Sequence, residues 1–186
     1  MRLFVAVPIP DGLRSSLAAA VAPLRADGPA GVRWTRPEGW HVTLAFLGAV
    51  PDERWHEVVA VVDVVAADGV PIGLASSAAG RFGRDVLWLG LDDEPAGSLA
   101  GIGDHLQQGL EAAGLSVQRR PVHPHVTLAR SRRRAVGREL VARVALPPVR
   151  WRATSLQVWS SQLGGGPARY AVEYETPLRG GGVGGP

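Results

Sequence analysis

The 186-residue sequence predicts an α+β fold, duplicated into two lobes, with antiparallel sheets lining a central cleft and helices on the outside. Three observations carry this. The phrase His41-Val42-Thr43-Leu44-Ala45 returns 84 residues later as His125-Val126-Thr127-Leu128-Ala129, in a chain with only five His and five Thr. Each half of the chain reads strand, helix, strand, helix, strand, with one copy of the phrase per half, which is the pattern of a repeated unit. Three segments of helical length also carry apolar residues three or four apart, and such stripes must be covered by a sheet or another helix.

The elements follow in order. Residues 2–8 form an apolar strand closed by Pro8. Pro10-Asp11 opens a helix with Asp11 as N-cap. Its inner face is Leu13, Leu17, Val21 and Leu24, and Asp27-Gly28-Pro29 ends it. A short strand at Val32–Trp34 leads through Pro37-Glu38-Gly39 into a strand over 40–47 that Gly48 breaks. A second helix runs from Pro51-Asp52 to about Ala67, with Trp55, Val58, Val62 and Val65 facing inward. Residues 70–79 and 85–91 pair as a hairpin across the connection Gly80–Arg84. A third helix over roughly 95–113 buries Leu99, Ile102, Leu106 and Leu110. A short strand near 115–119 precedes the second phrase strand, 124–130. A weak helix at 136–144 and strands at 149–160 and 168–176 follow, the last two joined by Gly164-Gly165-Gly166-Pro167. Residues 1–178 read as one domain, and 179–186 as a disordered glycine-rich tail.

Composition narrows the function classes. A chain that is 46% hydrophobic can build a core, and no run of 18 or more apolar residues predicts a membrane helix. No secretory signal is visible, and the absence of Cys excludes disulfides and thiolate metal sites, so the expected location is the cytoplasm. All 20 basic residues are Arg, a bias that GC-rich coding explains and that suits phosphate recognition. Residues 115–152 hold ten Arg and one acid, Glu139, a local charge of +9 inside a net charge of +3. That segment brackets the second phrase, and either an electrostatic funnel for a polyanion or a solvated loop carrying Arg132, Arg133 and Arg134 accounts for it.

In both phrases alternation sets His and Thr on one face of a strand and Val and Leu on the other. Two imidazole–hydroxyl pairs facing across a cleft make a symmetric acid/base site. An imidazole of ordinary pKa near 6.5 lets one ring be neutral and the other protonated around pH 7. A lone His on such a strand is usually a core residue; a duplicated His-x-Thr is not explained that way.

Paired His-x-Thr-Leu strands resemble the 2H phosphoesterase superfamily. The flanks Trp40-His41-Val42-Thr43-Leu44-Ala45-Phe46-Leu47-Gly48 and Pro124-His125-Val126-Thr127-Leu128-Ala129-Arg130 are similar to its bacterial RNA 2′,3′-cyclic phosphodiesterase branch, historically called 2′-5′ RNA ligase. The opening Arg2–Val7 and Val32-Arg33-Trp34 fit the same branch. The resemblance spans roughly residues 1–176. It implies a bilobed fold and hydrolysis of RNA-terminal or nucleoside 2′,3′-cyclic phosphates to 2′-phosphomonoesters, with reverse 2′-5′ ligation allowed in principle. It also implies His41 as proton donor and His125 as proton acceptor, roles that two nearly identical motifs cannot separate by themselves. No metal or other cofactor is needed. The expected partner is RNA with a 2′,3′-cyclic phosphate end, tRNA fragments included, and the expected state is a monomer with no membrane association.

Thr43 and Thr127 are placed to donate to phosphoryl oxygens. The motifs differ at their sixth position. Arg130 there can neutralise phosphate, and the aromatic Phe46 can stack on a base, although core packing is the expectation for Phe46. Trp34 and Trp40 are expected in the core, His56 and His105 on solvated helix faces, and His123 at the cleft rim. His123-Pro124-His125 lacks a third ligand for a metal, and the triple glycine lacks the context of a phosphate-binding loop. Rival readings are another 2H phosphodiesterase acting on small cyclic phosphates or 2′-5′ oligonucleotides, and a noncatalytic RNA-binding module.

Overall fold

The apolar run from Leu3 to Val7 is the buried part of β1 (Arg2–Pro8), which pairs with a neighbouring strand on each side. The computed structural model describes residues 1–131, 136–144, 148–162 and 169–180. Arg132, Arg133, Arg134 and the Gly164–Pro167 connection lie outside the described residues, as does the tail beyond Gly180.

After β1 come α1 (Asp11–Ala26), β2 (Val32–Trp34), β3 (His41–Ala49), α2 (Trp55–Asp68), β4 (Ile72–Phe82), β5 (Val86–Glu94) and α3 (Ser98–Ala112). The chain continues with β6 (His125–Ser131), α4 (Arg138–Ala142), β7 (Arg150–Ala153), β8 (Ser155–Gln162) and β9 (Arg169–Pro177). Every strand pairing is antiparallel, and the sheet runs β7-β4-β5-β6-β3-β1-β8-β9, with β2 paired to β6.

That order requires strong curling. β7 and β8 lie six strand steps apart, about 29 Å in a flat sheet at about 4.8 Å per step, yet only Thr154 separates them in the chain. Two residues of extended chain reach about 7 Å. The sheet therefore turns back on itself and brings the β7 edge round to β8. At its middle, β3 and β6 meet through a single registered pair, Val42 opposite Val126, and diverge on either side of it.

The helical stripes lie where the periodicity places them: Leu13, Leu17, Val21 and Leu24 on α1, Val58, Val62 and Val65 on α2, and Leu99, Ile102, Leu106 and Leu110 on α3 are all buried. α2 packs on α3 and on β8 and β9, while α3 lies against β3 and β5. Gly103 brings α3 close to β3, since a Cβ there would stand 3.3 Å from the Leu44 carbonyl oxygen. Val42, Leu44, Val126 and Leu128 fill the core under these helices, so His and Thr of each phrase are left on the opposite face.

Several expectations need correction. Pro10 is the residue flanking α1, and Asp11 is its first helical residue, placed 3.4 Å from Arg14 rather than capping. Gly48 does not end β3; it takes φ +71° beside a register shift, and the strand runs on to Ala49. The hairpin strands are longer than alternation suggests, because Gly80 extends the ladder opposite Trp88 and the turn tightens to Gly83–Asp85. Residues 115–119 form no strand. Instead Gln107 holds the Arg120 backbone by both its N–H and C=O at 3.0 Å, and Gln118 donates its N–H to the Phe46 carbonyl. The expected strand 149–160 breaks at Thr154 into β7, paired with β4, and β8, paired with β1. The predicted helix at 136–144 shrinks to the five residues of α4. The one sheet draws on both chain halves, with β8 and β9 returning to β1 and β7 pairing with β4. Arg179 and Gly180 donate backbone N–H groups to Ala66 and Gly69 at the end of α2.

Candidate active site

The single Val42–Val126 pair fixes the geometry of both phrases. Side chains directly opposite share a face, so the antiparallel register carried one residue either way sets His41 against Thr127 and Thr43 against His125, all four on the face away from the helices. A local two-fold relation thus passes through the valine pair. The burial patterns agree residue by residue: His and Thr are half-buried, Val, Leu and Ala buried, and the sixth residue exposed in both strands.

The backbone orients both rings in the same way. His41 Nδ1 lies 2.8 Å from the Gly39 carbonyl oxygen, and His125 Nδ1 lies 2.6 Å from the His123 carbonyl oxygen. A carbonyl can only accept, so Nδ1 carries the proton and Nε2 is left as the reactive nitrogen of each neutral ring. Gly39 ends the turn Pro37–Gly39, and Arg14 anchors that turn by donating to the carbonyls of Pro37, at 2.5 Å, and Ile9, at 2.8 Å. Thr35 Oγ1 lies 2.7 and 2.8 Å from the Thr127 and Leu128 carbonyls and accepts the Trp40 indole N–H at 2.8 Å, which ties the approach to His41 to the strand of His125.

Aromatic rings surround both imidazoles. Phe4, Trp159 and Tyr170 lie 4.6, 5.2 and 5.5 Å from His41 between ring centroids. Phe82, His123 and Trp88 lie 4.9, 6.1 and 6.2 Å from His125. Glycines make the room. A Cβ at Gly80 would stand 2.3 Å from the Trp88 ring, and one at Gly39 2.9 Å from Tyr170. The His41 pKa is lowered to about 4, by burial first, against the opposing pull of the Gly39 carbonyl, and then by the charges of His125, Arg130 and Arg14. His125 is lowered as well, by burial first and then by His123 and Arg130, while its bond to the His123 carbonyl opposes them. The charge of His125 thus bears on His41, and that of Arg130 on both imidazoles.

β-Bulges aim the sixth residue. In β3 the register passes from Thr43 to Ala45, and in β6 from Thr127 to Ala129, skipping Leu44 and Leu128. The alternation therefore slips by one, and Phe46 and Arg130 join the face of His and Thr. This corrects the expectation that Phe46 packs in the core: it is 40% exposed and lies 6.0 Å from Phe4. Trp40 is buried as expected, Trp34 packs half-buried against the core, and His56, His105 and His123 are exposed.

Phe4, Trp159, Tyr170, Phe82 and Trp88 escaped the sequence reading, because they come from strands distant in the chain and only the register gathers them. Gly80, which stands opposite Trp88, was the available signal. The basic run 115–152 does not form one track among the described residues. Arg119 pairs with Glu111 at 2.5 Å, Arg143 approaches Asp27 at 3.9 Å, and Arg150 and Arg152 sit on β7.

A model of the 2′-5′ RNA ligase superfamily matches residues 13–165. An RNA 2′,3′-cyclic phosphodiesterase of Geobacillus stearothermophilus is 32% identical over 134 residues, covering 68% of this chain and 41% of that protein. The Escherichia coli K12 protein of the same name is 29% identical over 184 residues, covering 96% of this chain and 94% of its own. The crystal structure of E. coli LigT complexed with 3′-AMP superposes with a TM-score of 0.74 at 27% identity, covering 95% of this chain and 97% of that one.

Proposed function

The chain belongs to the 2′-5′ RNA ligase superfamily, and on that footing we propose that it hydrolyses RNA-terminal or nucleoside 2′,3′-cyclic phosphates to 2′-phosphomonoesters. The observation that carries this reading is the two-fold arrangement of His41, Thr43, His125 and Thr127 around the Val42–Val126 pair. In-line displacement at phosphorus places the entering water and the departing ribose oxygen on opposite sides, which calls for two proton-transfer groups facing each other.

His125 Nε2 takes a proton from water as its oxygen bonds to phosphorus, and His41 Nε2 gives a proton to the ribose 3′ oxygen as that bond breaks. Each transfer is typically worth about 10²–10⁴ in rate. The Thr43 and Thr127 hydroxyls and the Arg130 guanidinium bind the nonbridging oxygens, whose negative charge raises the proton affinity of a ring otherwise held neutral. Phe46, exposed on the same face, offers a ring to the nucleobase. Both proton transfers are supplied by imidazole, so the reaction proposed uses no metal. With a 5′-hydroxyl in place of water as the attacking group, the same displacement breaks the bond to the 3′ oxygen and gives a 2′-5′ linkage. The reading extends to tRNA fragments with cyclic ends as substrates and to a monomeric enzyme of the cytoplasm. No helix among the described residues is long and apolar enough to cross a membrane.

A 31P NMR time course on a short RNA ending in a 2′,3′-cyclic phosphate, with EDTA present, tests the reaction, its regiochemistry and its independence of metal. The expected result is conversion to the 2′-phosphate by the wild type and persistence of the cyclic signal with His41→Ala and His125→Ala. A cyclic signal unchanged by folded wild type contradicts the reading.

A further inference from the structure

We propose that Arg33 binds the internucleotide phosphate just upstream of the cyclic end, giving the enzyme a second phosphate subsite that a mononucleotide cannot fill. This rests on the cyclic phosphodiesterase reading. It starts from a register: among the described residues β2 pairs only with β6, with Val32 opposite Ser131, Arg33 opposite Arg130 and Trp34 opposite Ala129. Val32 and Trp34 pack against the core, so Arg33, exposed between them, stands on the other face with Arg130, His125 and Thr127.

Like charges directly opposite each other across a strand pair are destabilising. Arg33 and Arg130 nevertheless stand side by side, and among the described residues neither makes an ion pair. The neighbouring Arg14 is committed to the Pro37 and Ile9 carbonyls. The Thr35 hydroxyl, two residues past Arg33, holds the end of β2 to β6, so the pair of guanidiniums is carried on fixed backbone.

An anion between or beyond the two cations relieves their repulsion. A cyclic phosphate brings one negative charge and already faces the two imidazoles and Arg130. In an RNA that ends in a cyclic phosphate, every other phosphate lies on the 5′ side, and the first of them is the nearest further anion. Arg33 is one strand beyond Arg130, away from β5, and stands held by no ion pair among the described residues, placed to meet it.

The test compares kcat/KM for a nucleoside 2′,3′-cyclic phosphate, for a dinucleotide with the same cyclic end, and for that dinucleotide with an uncharged methylphosphonate linkage. Wild type is expected to prefer the charged dinucleotide, and Arg33→Gln to lower the dinucleotide-to-mononucleotide ratio about tenfold. The methylphosphonate linkage should remove the same preference from wild type and cost Arg33→Gln nothing further. For the charged dinucleotide alone, Arg33→Gln should also reduce the slope of log(kcat/KM) against log salt by about 0.7. A preference retained by Arg33→Gln, or one indifferent to the charge of the linkage, overturns the subsite. No turnover of any substrate by wild type would instead overturn the hydrolase reading on which the subsite rests.

Discussion

His41 and His125 each donate Nδ1–H to a carbonyl two residues back, which leaves both Nε2 atoms basic and turned to the same face. Burial among aromatic rings holds both pKa values below the ordinary 6.5, that of His41 at about 4. A reaction needing one protonated and one neutral imidazole runs fastest between the two values, whichever ring is the acid. The kcat/KM of the free enzyme is therefore expected to peak below pH 6.5, with the kcat peak displaced upward because bound phosphate stabilises imidazolium; a kcat/KM maximum above pH 7.5 contradicts this. Tyr170→Ala, which admits water beside His41, should raise that ring's pKa from about 4 in an NMR titration. His and Thr were legible in the sequence because residue type and spacing carry their chemistry. The rings around them were not, since Phe4, Trp159 and Tyr170 meet only once β1 and β8 have paired and β9 has joined them.

Strict alternation along β3 turns Phe46 toward the core with Val42 and Leu44, and the bulge at Leu44 cancels it. The same bulge at Leu128 delivers Arg130 to the site. Nothing in five identical residues announces a bulge, so periodicity found the strands and missed the slip. Length was misread at β4 for a related reason: Gly80, which reads as a strand breaker, is a ladder residue whose missing side chain seats the Trp88 indole. Gly80→Ala is expected to lower stability by about 1–3 kcal/mol through overpacking, measured as a reduced urea midpoint at unchanged slope. The helices were more legible, because their buried stripes follow one period without interruption from Leu13 to Leu24 and from Leu99 to Leu110.

Across the molecule, the sheet that curls to bring β7 round to β8 also splays β3 from β6 at one valine pair, and this gives two strands of one sheet facing halves of one site. The doubling of the motif was visible in the chain, whereas the return of β8 and β9 to β1 was not, since local pattern holds no record of which edge a late strand joins. Because both imidazoles take up protons less readily folded than unfolded, the unfolded chain binds more protons below about pH 6.5. Stability should therefore fall as pH drops from 6.5 toward 4, and His41→Phe, which fills the same aromatic surroundings without titrating, should reduce that fall; an identical pH dependence in both proteins contradicts the assignment. The claim that unites these scales is that the two phrases form one catalytic unit. It is tested most directly by single-turnover rates on a nucleoside 2′,3′-cyclic phosphate for wild type, His41→Ala, His125→Ala and the double variant. Each single change is expected to lower the rate about 10²–10⁴-fold, and the double change to lower it little further. Losses that multiply in the double variant, or a single variant as fast as wild type, would contradict it.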